Sequence, residues 1–193
     1  MSRSPSRSRR GLRMATVMAS LALASAGALA AQVDDRAAVA LAAPQATFGA
    51  ESLDKMQRTA LLAPVDAFYG FWNNGSAALL AQALSPDFVD HTLPPGRPQG
   101  VAGPAMASKS FLAAVPDLQA TVVQRLVVGD RVVSHLRFTG HFTGVFMDRQ
   151  GQGQAIDFIA TDILRVRDGK ITDNWHLEDN LSFLQQIGIV PKA

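Results

Sequence analysis

The residue carrying the most chemical information is Asp162. A β-rich run spans Ala155 to Val166, and alternate side chains of a strand share a face. One face reads Phe158, Ala160, Asp162, Leu164 and Val166; the other reads Asp157, Ile159, Thr161, Ile163 and Arg165. A single carboxylate therefore sits in an apolar stripe. Burial without a charge partner raises a carboxyl pKa, which suits a group that accepts and returns a proton near neutral pH. The competing explanation is a buried Asp that hydrogen-bonds a helix end or another strand.

A second cluster is DNWHLEDN, Asp173 to Asn180. Alternation places Trp175 with Ile171 and Leu177, and His176 with Thr172, Asn174 and Glu178. His176 alone reads more often as a hydrogen-bonded surface or rim histidine. Trp175 reads as a pocket wall or as core. Asp179 stands either beside the pocket or as the cap of a last helix. His135, Arg137, Thr139 and His141 share one face of a long strand. A bulge at Gly140 would turn His141 toward a pocket; without it that face meets solvent. His91 closes a short strand before a proline loop, a rim position or a structural histidine.

Other chemistries lack their residues. There is no cysteine, so thiolate metal sites, disulfides and cysteine nucleophiles are excluded. The four histidines are scattered, with no H-x-x-H or H-E-x-x-H spacing, so no metal is expected. No glycine-rich phosphate loop follows a strand and no G-x-S-x-G elbow occurs. No cofactor is expected.

The elements that position these residues come in two blocks. Ser52 precedes a helix-forming run with Asp54 in its first turn. Leu61, Leu62, Val65, Phe68, Tyr69 and Trp72 then recur at spacings of three and four, the mark of an amphipathic helix. Pro64 either kinks that helix or opens a second one. Asn73-Asn74-Gly75 stops it, and Ser76 caps a short helix to Leu84. Phe88 to His91 is a short strand, Pro94 to Pro98 a rigid loop, and Val101 to Ala114 a third helix carrying Phe111. From Leu118 the pattern is strands: to Val128, then Arg131 to Phe146, Ala155 to Val166 and Ile171 to Leu177. Asn180 to Gln186 is a last helix. Helices first, then an antiparallel meander, define an α+β fold. Mid-strand glycines favour a curved sheet, and the space between sheet and helices is a usual place for a ligand.

The N-terminus reads as a separate segment. Residues 1–13 carry five arginines and no acid, and an apolar run from Met14 to Ala30 ends in Ala28-Leu29-Ala30. This is the layout of a cleavable export signal over residues 1–31. Ser8-Arg9-Arg10-Gly11-Leu12 also resembles a twin-arginine motif. The run is short for a membrane anchor, so no stable span is expected after cleavage, and the protein is expected to be periplasmic or secreted. Residues 32–50 are Ala-rich and read as a linker, with the domain over 51–192. The whole chain has net charge +2 and a pI near 9.4. Without the five N-terminal arginines, 13 basic residues face 16 acidic ones, a net charge of −3. Nucleic acid is therefore not an expected partner.

Several stretches together resemble a known family. VDAFYGFWNNGSAALLAQALSPDFVDH (Val65 to His91), FTGHFTGVF (Phe138 to Phe146), DILRVRDGKITDNWHLEDN (Asp162 to Asn180) and FLQQIG (Phe183 to Gly188) occur in order. The set resembles the SnoaL-like polyketide cyclases and predicted ester cyclases of the nuclear transport factor 2-like superfamily. The resemblance implies a cone: a curved antiparallel sheet packed on N-terminal helices around an apolar pocket. It also implies an Asp acting as general acid/base in an aldol ring closure, without cofactor or metal, and Asp162 is the matching position. His91, Trp175 and Asp179 match recurring positions. Many relatives carry a histidine where this chain has Phe142, one residue after His141, and a one-residue step reverses the face.

The expectation is a small-molecule protein whose ligand is apolar and oxygenated. Asp162 would abstract an acidic C–H proton in an aldol cyclisation or isomerisation, and His141 or His176 would steady the enolate. Phe68, Trp72, Phe111 and Trp175 would form the walls. The alternative is a non-catalytic binding or assembly module of the same fold. A homodimer through the exposed sheet face is a further expectation.

Overall fold

A computed structural model describes Met1 and residues 33–192; the expected export signal lies outside the described residues. The chain runs α1 (Asp35–Leu41), β1 (Thr47–Phe48), α2 (Lys55–Asn74), α3 (Ala77–Ala83), β2 (Leu84–Asp90) and α4 (Ala102–Ala114). It continues through β3 (Gln119–Val128), β4 (Arg131–Phe142), β5 (Val145–Phe146), β6 (Arg149–Gln150), β7 (Gln154–Arg167), β8 (Lys170–Glu178) and α5 (Asn180–Gln186). The main sheet is curved, with order β1-β3-β4-β7-β8-β2. Its four central strands are antiparallel as expected. The short edge strands β1 and β2 pair parallel to β3 and β8.

The long helix α2 starts in a capping box. The Asp54 side chain accepts from the Gln57 backbone N–H at 2.8 Å, and the Gln57 side chain accepts from the Asp54 N–H at 3.0 Å. Such a box satisfies two of the orphan donors of a first turn. Pro64 lies inside this one continuous helix rather than at a boundary. It removes one backbone bond, and the loss is offset because burial begins there: Val65, Phe68, Tyr69 and Phe71 are all nearly inaccessible. The helix ends at Gly75, whose φ of 70° is the left-handed conformation glycine adopts without strain. Ser76 then caps α3. Lys170 of β8 donates from Nζ to the Ala81 and Gln82 carbonyls, placing a cation at the negative end of α3.

The sheet alternates as the sequence implies. Val132, Ser134, Leu136, Phe138 and Phe142 of β4 are buried, and the register with β7 runs unbroken from Arg131↔Arg165 to Phe142↔Gln154. Two irregularities bend the antiparallel part of the sheet. One lies in β3 between Val122 and Gln124, the other in β8 opposite Arg165 and Val166. Extra residues of this kind increase local twist and change which side chains face inward. The core forms where the inner face meets α2, α4 and α5, around Phe68, Phe71, Leu136, Phe158 and Phe183.

The segment expected as a linker belongs to the fold. Asp34 caps α1, Ala38 and Ala42 are buried, and β1 extends the sheet through Thr47↔Arg125. Asn73 of α2 donates to the Ala38 and Ala120 carbonyls and accepts from the Ala120 N–H at 2.6 Å. Small alanines let α1 lie close on α2, so a packed helix here carries no large-residue periodicity. Among the described residues no helix is long and apolar enough to cross a membrane.

Candidate active site

The cavity lies between the inner face of the sheet, α2 and α4. Its walls are Phe68 and Trp72 from α2, Phe111 from α4, Phe138 from β4 and Phe158 from β7. Trp72 meets Phe138 edge-on at 6.2 Å, and Phe138 stacks on Phe158 at 5.1 Å. These are favourable aromatic geometries that hold the wall rigid. The free interior is about 40 Å³, room for a few water molecules.

Polar groups enter this apolar space from one level of the sheet. Asp162 of β7 pairs with His176 of β8, and Asn174 precedes His176 by two residues on the same inner face. The Asn174 amide donates to Asp162 Oδ1 at 3.1 Å. Burial pushes the Asp162 carboxyl up to about 6, against the opposing pull of that hydrogen bond and of the nearby His176. Its proton affinity therefore lies near neutrality, as the apolar stripe implied.

His176 is held by two carboxylates. Its Nε2 is 3.0 Å from Asp90 of β2, and its Nδ1 is 2.9 Å from Glu178. Burial alone would lower the imidazole, but Glu178 and Asp90 outweigh it and raise its pKa to about 9. Glu178 is held below its ordinary value despite its burial, by His176 and by Arg97. At neutral pH the ring is thus an imidazolium with both N–H groups committed. It gives the cavity a fixed positive charge beside Asp162. Arg97, from the loop before α4, adds a second cation to the lining.

The sequence-predicted residues divide sharply. Asp162, His176, Phe68, Trp72 and Phe111 line the cavity. Trp175 does not. Between the Arg165↔Asp173 and Val166↔Ile171 pairs, β8 carries the extra residue Thr172. This bulge puts Ile171 inward with Asn174 and His176, and leaves Trp175 on the outer face. There Trp175 stacks on His91 at 4.3 Å, beneath Arg131 and Arg165. His91 is consequently outside the cavity too, its Nε2 2.8 Å from Asp173. His141 also faces outward, because β4 and β7 pair without a bulge through Gly140↔Ile156 and His141↔Ala155. It is exposed, with Nδ1 2.7 Å from Asp117. Asp179 caps α5, accepting from the Ser182 N–H and hydroxyl, and is likewise no pocket residue.

Sequence reasoning missed Asp90, Arg97, Asn174 and Glu178. The strand period signalled two of them, since Asn174 and Glu178 share the face of His176. Asp90 and Arg97 reach the cavity through tertiary packing that no local pattern carries. Among the described residues no group of three or more His, Asp or Glu is placed to hold a metal ion.

A curved six-stranded sheet closed over helices, with an acid and an imidazolium facing an aromatic cavity, defines a small-molecule protein of the ketosteroid isomerase-like fold. A protein of that fold from Catenulispora acidiphila, solved in complex with trimethylamine, superposes with a TM-score of 0.52 at 20% identity, covering 65% of this chain and 92% of that one. The SnoaL-like polyketide cyclase family model matches residues 64–187. The chain belongs to the SnoaL-like polyketide cyclase family. It is similar to a candidate polyketide cyclase from Bacillus cereus ATCC 10987, with 41% identity over 77% of this chain and 93% of that one and a TM-score of 0.69. It is also similar to IdmH, a candidate polyketide cyclase from Streptomyces antibioticus, with 28% identity, 65% and 96% coverage and a TM-score of 0.59. No curated protein matches the chain.

Proposed function

We propose that the protein catalyses cofactor-free proton transfer on an apolar, carbonyl-bearing small molecule, with aldol ring closure as the outcome. The observation that carries this reading is Asp162, a buried carboxylate facing an aromatic cavity with a pKa near 6. Its carboxylate takes a proton from a carbon beside a carbonyl, and the electron pair moves onto that carbonyl oxygen as an enolate. The enolate carbon attacks a second carbonyl of the same molecule and forms the new C–C bond. The resulting alkoxide takes the proton back from Asp162. Arg97 supplies positive potential where the oxyanion develops, and the His176 imidazolium, offset by Asp90 and Glu178, holds the polar side of the cavity in place. The relatives named as polyketide cyclases support a polycarbonyl substrate. Because the cavity is narrow, the wall at Arg97 and Phe111 must open for a ring-sized molecule to enter.

The test is solvent-proton exchange. The wild type is incubated in D₂O with a panel of aryl 1,3-diketones and β-keto esters, and deuterium at the activated carbon is followed by NMR. Removing a positioned general base costs on the order of 10²–10⁴ in rate, so Asp162→Asn should lose exchange by at least about a hundredfold. Ligand binding with no exchange above the Asp162→Asn background would instead support a non-catalytic binding module.

Two further proposals concern the whole protein. The arginine-rich segment, apolar run and Ala28-Leu29-Ala30 pattern support export to the periplasm or medium. The outer sheet face, with exposed Ile159, Ile163 and Leu177, supports pairing with a second copy of this chain.

A further inference from the structure

Behind Asp162, away from the cavity mouth, the sheet carries a row of buried polar residues. The register sets Arg125 of β3 opposite Ser134 of β4, Ser134 opposite Asp162 of β7, and Asp162 opposite His176 of β8. All four are nearly inaccessible. Tyr69 of α2, fully buried, lies over this row. Three residues earlier on the same helix, Asp66 accepts from the Arg125 guanidinium at 2.7 Å. The Tyr69 and Ser134 hydroxyls close no well-aligned hydrogen bond, yet Ser134 and Asp162 both lie close enough to Tyr69 to act on its hydroxyl, and Tyr69 in turn acts on Asp162. An unpaired buried hydroxyl is costly, and phenylalanine would fill the same space without it.

We propose that Tyr69 and Ser134 are positioning residues for Asp162, forming with Arg125 a buried row of rotatable donors that turns toward the carboxylate when it is ionised and back along the row when it is protonated. A hydroxyl donates or accepts by rotation alone, so the row needs no backbone movement. Tyr69, Ser134 and Arg125 do not line the cavity that Asp162 lines, so the row need not give way to a ligand. The remaining charged groups near Asp162 are His176, Glu178 and Asp90 with Arg97 on the cavity side, and Asp66 beyond Arg125. None of these interposes a donor between Asp162 and α2. The inference rests on Asp162 as the acid–base group.

The chain contains one tyrosine, so 3-fluorotyrosine labels Tyr69 alone. In the full-length protein its ¹⁹F resonance should shift between pH 4.5 and 8, with the same midpoint as the Asp162 carboxyl signal in ¹³C-aspartate-labelled protein. The shift should vanish in Asp162→Asn. Tyr69→Phe should raise the Asp162 midpoint by about one pH unit, tenfold in proton affinity, and Ser134→Ala should raise it less. A flat ¹⁹F resonance, or one that titrates unchanged in Asp162→Asn, overturns the proposal even if Tyr69→Phe does not fold. So does an Asp162 midpoint in folded Tyr69→Phe within about 0.2 of wild type. An ordinary carboxylate midpoint for Asp162 in the wild type would instead remove the acid–base reading itself.

Discussion

Replacing Asp162 by Asn should stabilise the protein while removing its chemistry. The carboxyl rises from 3.8 to about 6 on folding, chiefly through burial. A raised folded pKa means that the native state retains a proton which the unfolded chain has already released. Stability is then lost as pH climbs from the unfolded value to the folded one. The cost is about 0.6 kcal/mol at pH 4, about 1.6 at pH 5 and about 3 at pH 8. Asn is neutral at every pH, fits the same space, and keeps an oxygen to accept from the Asn174 amide. Against the wild type, Asp162→Asn should therefore gain ~3 kcal/mol at pH 8, and about 2.4 kcal/mol less than that at pH 4. For a domain of this size the gain at pH 8 corresponds to roughly 6–12 °C in Tm. Urea unfolding of both proteins at pH 4, 5, 6.5 and 8 measures the difference directly. A difference between the two proteins that stays constant across this range would refute the assignment of the raised pKa to Asp162. A stabilised but inactive variant is the expected signature of a group retained for function against stability.

The ion pair beside Asp162 also loses stability as pH rises, but over a higher window, and what is lost is a favourable contact. His176 is raised to about 9 on folding, so its contribution is full below about 6.5 and is lost as pH rises through 9. Asp90→Asn leaves the buried imidazolium with Glu178 alone and should cost about 3 kcal/mol at pH 6.5. That penalty should shrink at pH 9.5, and a pH-independent penalty in urea unfolding would argue for simple loss of packing. On the outer face, Leu177→Asp should convert a dimer to a monomer in size-exclusion chromatography with light scattering. A monomeric wild type at micromolar concentration would remove that face as an interface between copies.

Fold class was legible because hydrophobic period dominates it. Alternation in β4 and β7 set Asp162, Leu136 and Phe138 on one face without any need of neighbours, and β7 keeps that alternation unbroken against β4. The Asp54 box and the Asn73-Asn74-Gly75 stop were equally local signals. What escaped was non-local or turned on a single residue. Thr172 as an extra residue in β8 reverses Trp175 relative to Ile171, and nothing in ITDNWH marks it. His141 failed for the complementary reason: glycine permits a bulge but does not require one, and twelve paired positions between β4 and β7 leave none at Gly140. Residues 32–50 read as a linker because alanine buries little area per residue. Their docking depends on Asn73 and Asn74, whose side chains bond Ala38, Val33 and Asp35.

The charge arrangement sets one cavity carboxylate apart from the other two. Three carboxylates line the cavity: Asp90, Asp162 and Glu178. Asp90 and Glu178 each grip one nitrogen of His176, and an opposite charge in contact favours the ionised form of a carboxylate. Asp162 accepts from the Asn174 amide and lies near the Tyr69 hydroxyl, with no ion-pair partner among the described residues. Glu178, held below its ordinary value by His176 and Arg97, is a weak base at neutral pH, and both Asp90 oxygens lie 3.0 Å from His176 Nε2. Asp90 and Glu178 do something else: they hold the buried His176 ring as an imidazolium at a pH where a bare histidine would be neutral. Above about pH 6 Asp162 is ionised, and below about pH 9 His176 is charged. The two conditions overlap across neutrality. An ionised Asp162 and a charged His176 therefore coexist there, because the β7–β8 register places a carboxylate without an ion-pair partner beside a doubly paired histidine.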